Sequence, residues 1–256
     1  MPGAAYLYCV VQRGHKPPVS RVPAGVPQAA RVEVVDIGAS QWLVVSEVPL
    51  EIYGPDRLES SLRDLDWVSR AAVAHEAVVE HFARQRGSTV VPMKLFTMFT
   101  SIARAAAEMR ARRRAIAGVF KRVSGCEEWG VRVMRGSPPR PAPPASPLPR
   151  SGVAFLAARK RSMDEAKQAA ARAADAAEAA FHHLSPLARD VRRRDDAPPG
   201  AAPPLLESAF LVPRTRRAKF QEAARTTARA CARAGAEMIV TGPWPPYNFV
   251  QTGDVG

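Results

Sequence analysis

Two proline-dense stretches constrain this chain more than any other feature. Seven prolines fall within residues 138–149, and a second cluster occupies residues 198–204. Proline fixes φ and has no N–H to give a helix or a ladder, so each stretch is expected as an extended, solvated loop rather than as core. Regular structure must fit into the three segments they leave. At 256 residues the chain is also near the length at which one core stops growing, which favours two domains.

The first segment opens with Ala5-Tyr6-Leu7-Tyr8-Cys9-Val10-Val11, a short aromatic and β-branched run closed by Gly14 and Pro17-Pro18, which predicts a buried strand. Residues 32–37 and 42–48 alternate near period two on either side of Gly38-Ala39-Ser40, as the arms of a hairpin do. The period then changes. Leu58, Leu62, Leu65, Val68, Ala72, His75, Val79 and Phe82 step by three or four, which predicts a single helix ending near Gly87. A strand over 89–93, an irregular stretch at 94–97 and a long helix through Ile102, Met109, Ile116 and Phe120 follow. That order implies an α+β sandwich with helices on one sheet face.

Beyond it, residues 128–134 alternate as a strand, and an Ala-rich stretch over 153–187 reads as a helix. A strand over 208–212, a helix over 215–234 carrying Phe220, the Gly235 stop and a strand over 237–241 complete the pattern. With one weak strand inside 189–202, this order suggests a ferredoxin-like second unit. The chain closes on Gly242-Pro243-Trp244-Pro245-Pro246-Tyr247-Asn248-Phe249-Val250. Its prolines favour a stiff polyproline II tail, and Trp244, Tyr247 and Phe249 would expose a large apolar patch unless docked, so the tail is expected to pack on its own chain.

Net charge is +13, which invites nucleic acid, an anionic surface or an acidic partner. Only six of the 37 basic residues are Lys, and the Arg sit in a background of Ala and Pro, a pattern expected from a GC-rich coding bias. A nucleic-acid-binding ferredoxin-like sheet is the rival reading, with Arg112-Arg113-Arg114 and Arg192-Arg193-Arg194 as phosphate contacts. The strands over 129–134 and 208–212 lack the paired aromatics of such sheets, which argues against it.

Enzyme chemistry finds little support. His75-Glu76 and Glu80-His81 resemble a metallohydrolase helix, but the two imidazoles are six residues apart and point about 240° apart around a helix. His75 is better read as a core or interface imidazole. His182 and His183 are adjacent, about 100° apart, and fit a surface role. No phosphate-cradling glycine loop or nucleophile elbow appears, and Cys9, Cys126 and Cys231 fit no metal spacing, so they are expected as buried, reduced thiols. No catalytic residue, cofactor or metal is expected. Without a long apolar window or a leader-like start, a cytoplasmic location is expected.

The closing run from Thr241 to Val250, with its Gly-Pro-Trp-Pro-Pro-Tyr-Asn-Phe core, resembles the end of the gas vesicle GvpL/GvpF family. Three more stretches match in order: Tyr6-Leu7-Tyr8, then His75-Glu76 with Val90-Val91-Pro92-Met93 and Leu95-Phe96-Thr97-Met98-Phe99, then Glu128-Trp129-Gly130-Val131. The resemblance implies an α/β amino-terminal domain over 1–124 and a ferredoxin-like domain over 125–256, with the proline stretch as an internal loop over 136–150 and the tail over 242–256. It also implies a cytoplasmic accessory or minor structural protein of the gas vesicle, which binds the main shell protein of the GvpA type and other accessory proteins. The long loop departs from the family pattern. We place the partner surface on the helix bearing Leu58, Leu62, Leu65, His75, Val79 and Phe82, because an apolar shell subunit needs an apolar face to meet.

Overall fold

Strand β1 (Gly3–Gln12) is apolar on both faces, and only a central strand covered on both sides can bury such a run. In the computed structural model, which describes residues 3–136, 152–194 and 203–250, it is that strand. It pairs antiparallel with β3 (Gln41–Pro49), with β4 (Thr89–Pro92) and with β5 (Met98–Phe99). The edge strand β2 (Glu33–Gly38) pairs with β3, giving the order β2-β3-β1-β4. The β2–β3 turn holds Gly38, Ala39 and Ser40 all at positive φ, the left-handed geometry that lets a tight hairpin follow the twist of its strands. A bulge between Leu7 and Cys9 shifts the alternation by one residue, so that Cys9 and Val11 continue the face of Ala4, Tyr6 and Tyr8.

The element order alone suggests helices on one face; the structure covers both. On the tyrosine side lie α1 (Leu50–Tyr53), α2 (Pro55–Ser61) and α3 (Leu65–Ala83), which bring Tyr53, Val78, Val79 and Phe82 against Tyr6, Tyr8, Val44 and Val48. On β2, β3 and β4 pack α4 (Ile102–Ala111) and α5 (Arg113–Val123), which bury Met109, Ile116 and Phe120. Leu7, Val10 and Leu43, absent from the tyrosine-side cluster yet fully buried, are the sheet residues this second layer covers.

Both long helices expected in this region are in fact pairs. The first breaks because the Asp64 side chain accepts from the N–H groups of Asp66 and Trp67 and so starts a new helix. The second breaks at Arg112, between α4 and α5.

Strand β6 (Cys126–Arg135), α6 (Gly152–Leu184), β7 (Asp190–Arg193), β8 (Leu206–Pro213), α7 (Arg217–Arg233) and β9 (Ala236–Trp244) follow. Their sheet has the order β7-β8-β6-β9, and the weak strand expected inside 189–202 is β7. Trp129, Phe210 and Phe220 fill its core, and α6 meets it through small residues, Ala173, Ala177 and Ala180, with Leu184. Short 3-10 turns at Ser185–Leu187, Arg214–Arg216 and Tyr247–Phe249 complete the elements.

Contacts divide the chain into two compact units, Met1–Glu128 with Pro243–Gly256 and Trp129–Gly242. The expected boundary at residue 124 is four residues from the first division. The expected loops at 136–150 and 198–204 fall almost wholly outside the described residues, as does the tail beyond Val250.

Candidate functional site

Most of the polar chemistry buried in the amino-terminal unit gathers between β1, α3 and the chain's closing turn. The Tyr6 hydroxyl lies 2.9 Å from His75 Nδ1 and accepts from the Phe96 N–H at 3.3 Å. Phe96 holds a positive φ of 62°, a strained conformation for a bulky residue. It is kept there by that hydrogen bond and by its ring, which stacks on Trp67 with centroids 5.4 Å apart. Next to Tyr6, the Tyr8 hydroxyl donates to Ser46 and accepts from the Val26 N–H. Gly25 makes this approach possible, since a Cβ there would sit 2.1 Å from the Tyr8 oxygen.

One residue beyond His75, Glu76 accepts a 2.5 Å hydrogen bond from the Tyr247 hydroxyl. The next residue, Asn248, donates from its backbone N–H and its side-chain amide to the two carboxylate oxygens of Glu128, at 2.8 and 2.5 Å. The carbonyl of Phe249 accepts from Arg122, and its ring is fully buried. Three successive residues of the tail are thus each held by a different polar partner. Trp244, by contrast, is 41% exposed.

Burial governs the charges here. His75, 3% exposed, has its pKa pushed down to about 4 by loss of hydration, partly offset by the Met93 backbone. It is neutral at pH 7. Desolvation raises the Glu76 carboxyl above its ordinary value, while the Tyr247 hydrogen bond holds it back. Burial likewise pushes the Tyr6 and Tyr247 hydroxyls and the Cys9 thiol well above their usual ranges, so these groups stay protonated.

The six residues expected to form a partner face divide into two sets. His75, Val79 and Phe82 are buried in the core of the amino-terminal unit, and Leu58 is half-buried against it. Leu62 and Leu65, at the α2–α3 joint, are 45% and 80% exposed. Leu50 on α1 and Val73 on α3 are exposed too, though sequence periodicity did not single them out. The signal that could have found the joint is Asp64, a helix-starting residue in mid-pattern.

The arginine triplets are partly occupied. Arg112 pairs with Glu108 at 2.7 Å, while Arg193 pairs with Glu178 and lies 4.2 Å over the Phe181 ring. All three cysteines are buried, and none is in a disulfide. Among the described residues no cluster of three or more His, Cys, Asp or Glu could hold a metal ion, and no helix is long and apolar enough to cross a membrane.

Comparison with known proteins bears on the whole chain. It is 29% identical over 218 residues to gas vesicle protein L of Streptomyces sp. (strain CB03234), covering 80% of this chain and 78% of that protein. Its fold is similar to the crystal structure of the gas vesicle protein GvpF from Anabaena sp. PCC7120, with a TM-score of 0.67, 16% identity and 97% and 96% of the two chains covered. The GvpF crystal structure from Microcystis aeruginosa gives a TM-score of 0.64 at 16% identity, covering 98% and 100%. The model of the gas vesicle synthesis protein GvpL/GvpF family matches residues 4–251, so the chain belongs to that family.

Proposed function

We infer that this chain is a non-catalytic accessory or minor structural protein that binds the hydrophobic shell subunit of the GvpA type and assists nucleation and assembly of the vesicle in the cytoplasm. Family membership supplies the gas vesicle context. The observation that carries the partner reading is the exposure of Leu62 and Leu65 at the α2–α3 joint, where apolar side chains stand in water that a partner could displace. An unpolymerised shell subunit presents apolar surface of its own, and covering part of it suppresses aggregation. Other accessory proteins of the vesicle are further candidate partners.

In this reading the carboxy-terminal unit is a ferredoxin-like domain. Its β6-α6-β7-β8-α7-β9 order, with β6 and β8 central in the sheet, supports that assignment. The tail keeps the amino-terminal unit in shape through Tyr247, Asn248 and Phe249.

The test is retention of purified shell subunit by the full chain and by its Leu62→Glu/Leu65→Glu variant. We expect the variant to keep its fold, since both sites are exposed, and to lose retention. Undiminished retention by the variant removes the α2–α3 joint as the partner surface, and no retention by either chain removes the shell subunit as the partner.

A further inference from the structure

Helix α6 spans 33 residues, and its carboxy-terminal part alone is packed. There Ala173, Ala177, Ala180 and Leu184, spaced four, three and four, enter the core. Continued toward the amino terminus, the same alternation of threes and fours passes through Ala170, Ala166, Met163, Arg159 and Leu156. Here it meets no cover among the described residues. Every residue of 152–169 except Ala158 is exposed, with Leu156 and Met163 each at 65% and Val153 at 79%.

A three-four apolar repeat is the pattern by which one helix seats another. The charges beside the stripe say which kind. Arg159 lies in it, and Lys160 and Lys167 take the flanking position four residues after Leu156 and Met163. Of the nearby acids, Asp164 lies about 80° from Leu156 and about 100° from Met163, beyond the lysines, and Glu165 lies about 100° or more from every residue of the stripe. A second copy supplies no matching carboxylate. In an antiparallel pair the flanking Lys160 and Lys167 would face each other, and in a parallel pair they would face Phe155, Ser162 and Ala169.

We propose that the exposed half of α6 is a docking surface for an amphipathic helix of another protein whose apolar stripe is flanked by Asp or Glu. This surface belongs to the carboxy-terminal unit and is independent of the α2–α3 joint assigned to the shell subunit.

The probe is a synthetic helix of about three heptads with leucines on its stripe and glutamates on both flanks. A matched helix with lysines in place of the glutamates is the control. Binding of each to the full chain is read by fluorescence anisotropy across a salt series. The glutamate helix should bind, more weakly as salt rises, and the lysine helix should not. The Leu156→Gln/Met163→Gln variant should lose affinity by about tenfold or more, with its thermal melt unchanged. No binding of the glutamate helix, equal binding of both helices, or unaltered binding by the variant overturns the proposal. Sedimentation showing a dimer that the double variant abolishes also overturns it, because a second copy would then occupy the stripe.

Discussion

Helices α3 and α6 share one spacing rule and put it to opposite uses. In α3 the inward positions carry Ala71, His75, Val78, Val79 and Phe82, and the buried face runs along most of the helix. In α6 the inward positions of the packed part are three alanines and a leucine, and the first half of the helix leaves its stripe in water. Large side chains fill the space between α3 and its sheet. Small ones let α6 come close to α7, whose Cys231 Sγ lies 3.7 Å from the Ala176 carbonyl, with the bulk supplied by Phe210 and Phe220 from the other elements. A three-four repeat thus tells which side of a helix is apolar; the size of its residues and the length of what faces them decide whether that side is core.

The largest test of the comparison is Phe82→Ala. This ring is fully buried in the tyrosine-side core, so its loss leaves a cavity and should cost about 3–5 kcal/mol in denaturant unfolding. A cost near zero would mean that α3 is no more committed to its core than the free half of α6.

His75 gives the next effect, and its sign follows from burial. Its folded pKa of about 4 lies below the ordinary 6.5, so between those values the unfolded chain takes up a proton that the folded chain refuses. Its contribution is fully present above pH 6.5 and is lost as pH falls toward 4, on the order of 2 to 3 kcal/mol at pH 4.5 relative to pH 7. Glu76 acts oppositely, since its raised pKa favours the folded state at low pH. The measurement is therefore a difference: unfolding of the chain against its His75→Gln variant at the two pH values. Parallel behaviour of the two proteins would place His75 outside the pH response.

A smaller loss is expected from Tyr247→Phe, which removes the donor to Glu76 and leaves that carboxyl buried without it. The cost should be about 1–3 kcal/mol in thermal or denaturant melts, and the Glu76 carboxyl should titrate higher still by NMR. An unchanged titration would show that the tail does not govern Glu76.

Much of the architecture was legible in the residues. The double-faced run of β1, the hairpin about Gly38-Ala39-Ser40 and the weak strand β7 all follow from period and turn chemistry. The helix breaks at Asp64 and Arg112 were not, because the apolar period continues through both and a cap acts over only two or three residues. Cover on the second face of the sheet was missed because element order does not say to which side a connection crosses. At the candidate site, periodicity gave the correct face of α3 but not its depth, so core residues such as Phe82 were grouped with exposed Leu65. The bonds from Tyr247 to Glu76 and from Asn248 to Glu128 join positions 171 and 120 residues apart, and no local pattern encodes them.

The smallest expected effect probes the free half of α6. Leu156→Gln/Met163→Gln replaces two exposed apolar side chains with a residue of nearly the same helix propensity, so the change reports packing and little else. If no part of this chain covers the stripe, stability should shift by within about 0.5 kcal/mol, and helicity by circular dichroism should be retained. A loss as large as that from Phe82→Ala would mean that both side chains are buried in solution by something, and α3 and α6 would then differ only in what covers them.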